Sequence, residues 1–429
     1  MTKIVYQRTS PAQRREIEQF DAAALEQYQV GLLAKLLDDI LPQNEFYRGK
    51  LGDLQRPTES LEQLSDFPFT FKDELLGSEN SEGFANNLTF PPDQYSRFHR
   101  TSGTRGRPMI VLDTSDDWQW WMETWQYVLD TADLSASDRV LMAFSFGPFI
   151  GFWSAFDAAV ERGAMVAPTG AMGTIARLEL ARNIKATTMF CTPSYALHMA
   201  EVAKENQIDV GNLDIKKIIA AGEPGGSIPA IRDQIQTTWN ATVIDHSGAS
   251  EVGPWGYADP VGRGIYVNEA QFIPEFLSIE TGLPAEEKEL SELVLTSLGR
   301  AGCPVIRYRT GDLVRPTWND DQQCNFVMLD GGVLGRTDDM MIIRGVNVFP
   351  TSIEQILRGF PEIVEYRLTA FKESSMDQLK IEIEDRLDSP ERVISELQIR
   401  LGLRVFVECV PMGSLPRFGA KGKRFVDQR

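Results

Sequence analysis

The sequence predicts an α/β protein with a large N-terminal part and a small α+β unit at the C-terminus. The large part is expected to hold a mostly parallel, helix-covered sheet and a β subdomain. Three observations carry this. Short apolar runs alternate with helix-length stretches from about Thr101 to Gly253; strand-like texture takes over near Leu290; and a separate alternation of strands and helices comes after Gly335. A chain of 429 residues is long enough for two or more cores. The expected division is 1–334 and 335–429.

Thr9–Leu41 reads as helical, with Ile17, Phe20, Leu25 and Leu32 on its apolar positions and only Gly31 interrupting. Trp118, Trp121, Trp125 and Val128 fall at helical spacing after a cap at Ser115, which favours core packing over a ligand stack. Strands are expected at Val140–Phe144, Ala164–Ala167, Ala186–Phe190, Lys217–Ala221 and Ala241–Ile244. Helices are expected between them at Thr174–Asn183, Ser194–Glu205 and Ile228–Trp239. This βαβ rhythm implies parallel strands with ligand-carrying loops beyond their C-terminal ends. Three polar segments are assigned to such loops: Thr101–Pro108, Gly222–Ser227 and Asp245–Gly253. Leu293–Thr296 and Val305–Tyr308 are expected strands of the β part. In the C-terminal unit, Met340–Arg344 reads as a strand and Thr351-x-x-Glu354 as a capping box. Leu379, Ile381 and Ile383 alternate with Lys380, Glu382 and Glu384 as in a half-exposed strand; Glu391–Leu401 is helical and Val405–Val410 a strand.

The net charge of −18 argues against nucleic acid as a partner and against docking on anionic lipid. The four cysteines, Cys191, Cys303, Cys324 and Cys409, form no Cys-x-x-Cys pair, so neither disulfides nor a zinc site is indicated. Met1–Ser10 shows no apolar leader. The most apolar run, Val140–Phe156, is broken by Ser145, Gly147, Pro148, Gly151 and Ser154 and reads as a buried strand–turn–helix rather than a membrane span. A cytoplasmic protein is expected, with a homodimer as a possible assembly.

Four segments carry chemistry. Arg100–Pro108 packs two glycines, three hydroxyls and three arginines into nine residues of an acidic chain, a composition suited to an anion. It is not a Walker loop, and alone it is as well read as an exposed polar turn. Tyr308-Arg309-Thr310-Gly311-Asp312 places a carboxylate after a strand and a Gly turn, where it can accept from ribose hydroxyls; an ordinary turn Asp is the bland alternative. Gly335-Arg336-Thr337-Asp338-Asp339 and Arg344–Pro350 suggest a charged hinge, or a solvated linker. Leu415–Arg424 sets glycines around Lys421 and Lys423 and, alone, reads as a flexible tail.

In order and spacing these segments resemble the adenylate-forming superfamily, and most closely the phenylacetate–CoA ligase family, from about Thr101 to Asp427. The resemblance implies a role for each matching residue. By it, Thr101, Ser102, Gly103, Thr104, Gly106 and Arg107 form the loop around the ATP phosphates. Gly222, Glu223 and Pro224 border the adenine. Asp245, His246, Ser247, Gly248, Ser250 and Glu251 form the next binding segment, with Glu251 on Mg²⁺. A family Tyr that packs on adenine is Ser247 here. By the same resemblance Asp312 holds the ribose, with Arg336 beside it. Asp338 is the hinge of a mobile C-terminal lid, Gly345 lines the CoA tunnel, and Lys421, with Arg424, serves catalysis. The implied cofactor is Mg²⁺, with ATP, CoA and a small carboxylic acid as substrates. No zinc is expected, because the cysteines of zinc-holding relatives are absent before Gly335. The implied reaction forms an acyl-adenylate, releases pyrophosphate, then transfers the acyl group to CoA with release of AMP. The alternatives are transfer to a carrier protein or an amine, arrest at the adenylate, or a nucleotide binder without activity.

Phe144, Phe146 and Phe149 surround a Gly-Pro turn after a strand and are as well read as an acid pocket as core. No Lys or Arg lies between Val140 and Val160, so an apolar, aromatic, monocarboxylic acid is expected. His99 and His198 read as incidental. His246 has no Asp–His–nucleophile partner, and a structural role is its simpler reading.

Overall fold

The computed structural model describes residues 8–52, 54, 60–77, 83–101, 108–318, 324–337, 341–343, 346–373, 376–401, 405–416 and 424–428. Ser102, Gly103, Thr104, Gly106, Arg107, Asp338, Gly345 and Lys421 lie outside the described residues.

The chain opens with helices α1 (Pro11–Glu18), α2 (Ala22–Ile40), α3 (Glu45–Leu51) and α4 (Lys72–Leu75). The single helix expected over Thr9–Leu41 is two, because Asp21 accepts from Ala24 N–H and caps a new start. A hairpin of β1 (Arg97–Arg100) and β2 (Ile110–Asp113) leads into α5 (Ser115–Thr131). The cap of α5 is Thr114, in a box with Asp117, and not Ser115. The alternating region then runs β3 (Arg139–Met142), α6 (Ile150–Glu161), β4 (Met165–Pro168), α7 (Thr174–Asn183), β5 (Thr188–Cys191), α8 (Pro193–Glu205), β6 (Lys217–Ala221), α9 (Pro229–Trp239) and β7 (Thr242–Ala249). It continues through β8 (Gly253–Ala258), β9 (Gly264–Val267), β10 (Phe272–Ser278), β11 (Ser291–Ser297), β12 (Tyr308–Val314), β13 (Pro316–Thr317), β14 (Met328–Asp330) and β15 (Gly335–Arg336). The C-terminal part holds β16 (Met341–Ile343), β17 (Val346–Val348), α10 (Pro350–Arg358), β18 (Ile363–Glu373), β19 (Met376–Asp385), α11 (Pro390–Leu401), β20 (Phe406–Cys409) and β21 (Phe425–Asp427).

Among the described residues a nine-stranded sheet has the order β13-β14-β9-β8-β7-β6-β5-β3-β4. The five strands from β7 to β4 are parallel, as the βαβ rhythm requires. Beyond β7 the ladder turns antiparallel, because β7, β8 and β9 are joined by turns too short for a crossover. Alternate residues of the parallel strands enter different cores. Val140, Met142, Phe190, Ile219 and Ile244 pack with α5 and α6. Leu141, Met189, Cys191, Ile218, Ala220 and Val243 pack with α7, α8 and α9. The tryptophans expected in the core are there: Trp118, Trp121 and Trp125 are all buried.

The β part is a second sheet, β10-β11-β12-β15, all antiparallel. Helices α2 and α3 cover it through Leu33, Leu37, Tyr47, Ile273, Leu298 and Ile306. The C-terminal part has its own sheet, β20-β19-β18-β21, and its own core of Met341, Ile353, Leu357, Leu368, Ile381, Ile383, Val393 and Leu397. Helix α10 begins at Pro350 after an N-cap at Phe349, so the box expected at Thr351 and Glu354 is not its start. On the polar face of β19 Lys380 is half-exposed as expected, whereas Glu382 and Glu384 are buried. Glu382 is paired with Arg367, and Glu384 accepts from Leu415 N–H at 2.7 Å.

Candidate active site

The site is built where the parallel strands end. Two of the three segments assigned to loops behave differently from that expectation. Thr101–Pro108 comes between β1 and β2, which form a two-stranded sheet of their own, so it does not follow a strand of the large sheet, and 102–107 lie outside the described residues. Thr101 is buried and closes the stem: its N–H donates to Met109 O (2.9 Å) and its Oγ1 accepts from Met109 N–H (3.0 Å). Asp245–Ala249 continues strand β7, and only residues 250–252 turn.

Gly222-Glu223-Pro224 does come directly after β6. Gly222 is exposed and open to a ligand, whereas Glu223 turns inward and accepts from Ser194 N–H (2.6 Å) at the start of α8. Burial raises the Glu223 carboxyl. Asp245 lies on the α9 side of β7, accepts from Ser227 Oγ (2.6 Å), and is pushed up to about 6 by burial. It fastens the Gly222–Ser227 loop to the strand. His246 points to the opposite side. Ser247 is half-buried and Gly248 exposed, as a strand bordering a ligand requires.

Glu251 is buried, and its Oε1 accepts from Lys72 Nζ (3.0 Å) and Tyr308 Oη (2.8 Å). Burial works to raise this carboxyl, but the Lys72 ammonium outweighs it with help from Tyr308, and the net shift is downward. Lys72 is a site residue that the sequence does not announce. A single Lys in Phe69–Leu75 carries no signal; its place comes from Thr70, which exchanges backbone hydrogen bonds with Arg307 and Arg309 beside Tyr308. Phe69 packs under the Arg307 guanidinium at 4.1 Å and fixes the same segment. Behind Glu251, fully buried Arg300 donates to Ser250 O (2.8 Å) and pairs with Asp113 (2.7 Å).

Asp312 sits inside β12 and not after a strand. The register between β11 and β12 slips between Glu292 and Val294, so Thr310–Asp312 bulges from the ladder. Gly311 has φ +76°, and a Cβ there would lie 2.8 Å from an Arg336 nitrogen. Arg336 uses that space to reach Asp312 Oδ1 (2.8 Å) and Thr310 O (3.0 Å). Burial pushes Asp312 up to about 6, with Arg336 opposing and Glu251 adding to the rise.

Arg424 lies on the C-terminal part, with its guanidinium on both oxygens of Glu365 (2.6 and 3.2 Å). In this structure it holds the segment before β21 through Glu365. Its charge bears on Glu223, as does that of Glu354, so the C-terminal part lies near the Gly222–Ser227 loop.

Phe144 is buried and stacks on Phe152 at 4.4 Å; Phe146 meets Phe152, Trp153 and Phe156 edge-on, and Phe149 meets Phe152 at 6.1 Å. Phe146 and Phe149 stay half-exposed. The three expected residues therefore form one aromatic wall at the strand ends. A cation does approach this wall from beyond Val140–Val160: Arg177 of α7 donates to Phe144 O (3.0 Å) and Thr169 O.

The family implies Mg²⁺, and the residues fit it. Glu251 is held ionised at the mouth of the site, and no side chain among the described residues engages its second oxygen. A hard cation that keeps most of its ligands from phosphate and water needs only one or two carboxylates. No group of three His, Cys, Asp or Glu residues suited to a metal lies among the described residues.

Asp312 paired with Arg336 on the second sheet, linked through Tyr308 of the same strand to Glu251 beyond β7, next to a C-terminal unit with a core of its own, is an arrangement suited to an adenylate-forming enzyme. Residues 345–429 match the family described as AMP-binding enzyme C-terminal domain. The chain is 30% identical to a phenylacetate-coenzyme A ligase of Pseudomonas putida, over 95% of this chain and 94% of that protein. It therefore belongs to the phenylacetate–CoA ligase family, ATP-dependent acid–CoA ligases that act through an acyl-adenylate. Among solved structures, 2-hydroxyisobutyryl-CoA ligase in its postadenylation state superposes with a TM-score of 0.91 at 25% identity, covering 99% of this chain and 94% of that one. The same ligase in its thioesterification state with CoA gives 0.73 at 26% identity, covering 98% and 94%. Among the described residues no helix is long and apolar enough to cross a membrane.

Proposed function

We propose that the protein activates an apolar, aromatic monocarboxylic acid with ATP and transfers it to CoA, using residues 335–429 as a lid that turns about Asp338. The observation that carries this is the linkage of Glu251 to Tyr308 on β12, the strand on which Asp312 pairs with Arg336. Asp312 accepts the ribose hydroxyls. Glu251 holds Mg²⁺, which when bound neutralises charge developing on the transferred phosphate. Lys421 approaches the same phosphate from the lid during adenylation. After pyrophosphate leaves, rotation at Asp338 withdraws Lys421 and presents the Gly345 region to the pantetheine arm. The better superposition on a postadenylation structure than on a thioesterification structure supports a lid described in its first position.

A pyrophosphate-release screen over carboxylic acids, with and without CoA, tests the reading. An aryl monocarboxylate is expected to be the best substrate, with CoA-dependent release of AMP. A dicarboxylate or zwitterionic amino acid at the top of the ranking overturns the acid assignment, and CoA-independent turnover with an amine or carrier protein overturns the acceptor.

A further inference from the structure

We propose that His246 is a specificity residue, presenting a neutral ring nitrogen to the acid so that the preferred acid carries a hydrogen-bond donor on its apolar body. This rests on the ligase reading above and refines its substrate.

The side of the sheet is fixed by alternation along β7. Val243 packs with α7, α8 and α9, and Asp245 faces that same side through Ser227. Ile244 packs with α5 and α6, and His246 is on its side, its ring 4.2 Å from that of Trp125. Trp125 also lies 6.3 Å from Phe190 and donates to Ser154 Oγ (2.9 Å) on α6, beside Phe152, the ring on which Phe144 stacks. His246 and the phenylalanine wall therefore lie on the same side of the sheet and pack on a shared set of rings, on the opposite face from the Asp245–Ser227 link to the Gly222–Ser227 loop.

The tautomer is set by one contact. Nδ1 lies 2.7 Å from Gly256 O, and a carbonyl can only accept, so Nδ1 carries the proton. In the neutral ring Nε2 is then an acceptor with no proton. Burial among aromatics lowers the imidazole to about 4, so the ring is neutral at working pH. The one hydrogen bond of the ring among the described residues is through Nδ1. It points towards exposed Gly248, where an added Cβ would lie 3.5 Å from it. The residue is buried but Nε2 is not one of the fully enclosed unpaired atoms, so the nitrogen stays reachable, and an acid that displaces solvent from it without bringing a donor leaves the acceptor unpaired. A site built this way discriminates strongly against analogues that lack the donor.

The test uses the intact protein and matched aryl acids that carry either a hydroxyl or a methyl at each ring position in turn. Acid-dependent pyrophosphate release should favour one hydroxyl acid over its methyl partner by about tenfold or more in kcat/KM. His246→Leu should bring that ratio to within about threefold, while His246→Gln, which restores an acceptor, should keep a preference. The wild-type ratio alone decides the matter if the variants fold poorly. A wild type that prefers the methyl acid in every pair, or a Leu variant with an unchanged ratio, overturns the proposal. A collapse accompanied by a matching rise in the KM for ATP would assign His246 to the nucleotide and also overturn it. If no acid releases pyrophosphate, it is the ligase reading that fails.

Discussion

The ribose role proposed for Asp312 ties ATP binding to pH. Its carboxyl is raised to about 6, chiefly by burial. Above that value it is ionised and can accept from ribose hydroxyls; below it the proton removes an acceptor. ATP affinity measured by titration calorimetry should therefore fall as pH drops through about 6, reaching roughly tenfold weaker one unit below. Asp312→Asn should bind ATP weakly at every pH and flatten the profile. Arg300 makes a different kind of prediction. It is fully buried between Asp113 and Ser250 O, with Asp117 close by. Arg300→Ala should cost about 3–5 kcal/mol in denaturant unfolding, because it strands buried carboxylates. A loss below about 1 kcal/mol would show that water replaces the guanidinium. At this scale the sequence is informative where motifs are local. Asp312, Arg336 and Glu251 sit in short marked segments, and the structure brings them together. Lys72 and Arg177 come from segments with no mark of their own and meet the site through pairing and packing of distant chain. His246 is visible in the sequence, but its meaning lies in the carbonyl of Gly256, on the neighbouring strand.

The parallel strands and their helices are legible because period-two burial and helix-length spacing repeat without interruption. The antiparallel half of the large sheet is not, since β8, β9, β13 and β14 are short and their pairing is set by turns. The bulge at Thr310–Asp312 is equally invisible: a slip in pairing depends on the partner strand. The lid carries two predictions at this scale, both resting on its place after β15. Lys421→Ala should lower acid-dependent pyrophosphate release by about a hundredfold or more yet leave conversion of supplied acyl-AMP to thioester intact. Asp338→Pro, by fixing φ, should preserve pyrophosphate release and abolish thioester formation. Equal loss of both half-reactions in either variant would contradict the separation of roles.

The whole molecule contains a C-terminal core that shares none of its residues with the cores of the large part. Two-state unfolding is not expected of such a chain. Differential scanning calorimetry should resolve a smaller transition for residues 345–429, with an enthalpy of roughly 60 kcal/mol for about 85 residues. ATP should move the larger transition upward by mass action, and a non-hydrolysable acyl-adenylate analogue should draw the two together. One sharp transition that ligands shift as a unit would show instead that the lid unfolds only with the body.

The Arg100 N–H donates to Pro148 O at 2.8 Å, which joins the stem of the Thr101–Pro108 hairpin to the turn between Phe146 and Phe149. With the roles proposed for the two segments, the two substrates would share a rim. On that reading, an acid that settles the turn would alter ATP binding, and ATP would alter acid binding to the same degree, because coupling between two binding equilibria is reciprocal. The poorest acids of a series should then also be those that least improve the grip on ATP, so that discrimination among acids is written partly in nucleotide affinity. Bringing the two ligands in together becomes, for this enzyme, a property of its substrate choice and not only of its chemistry.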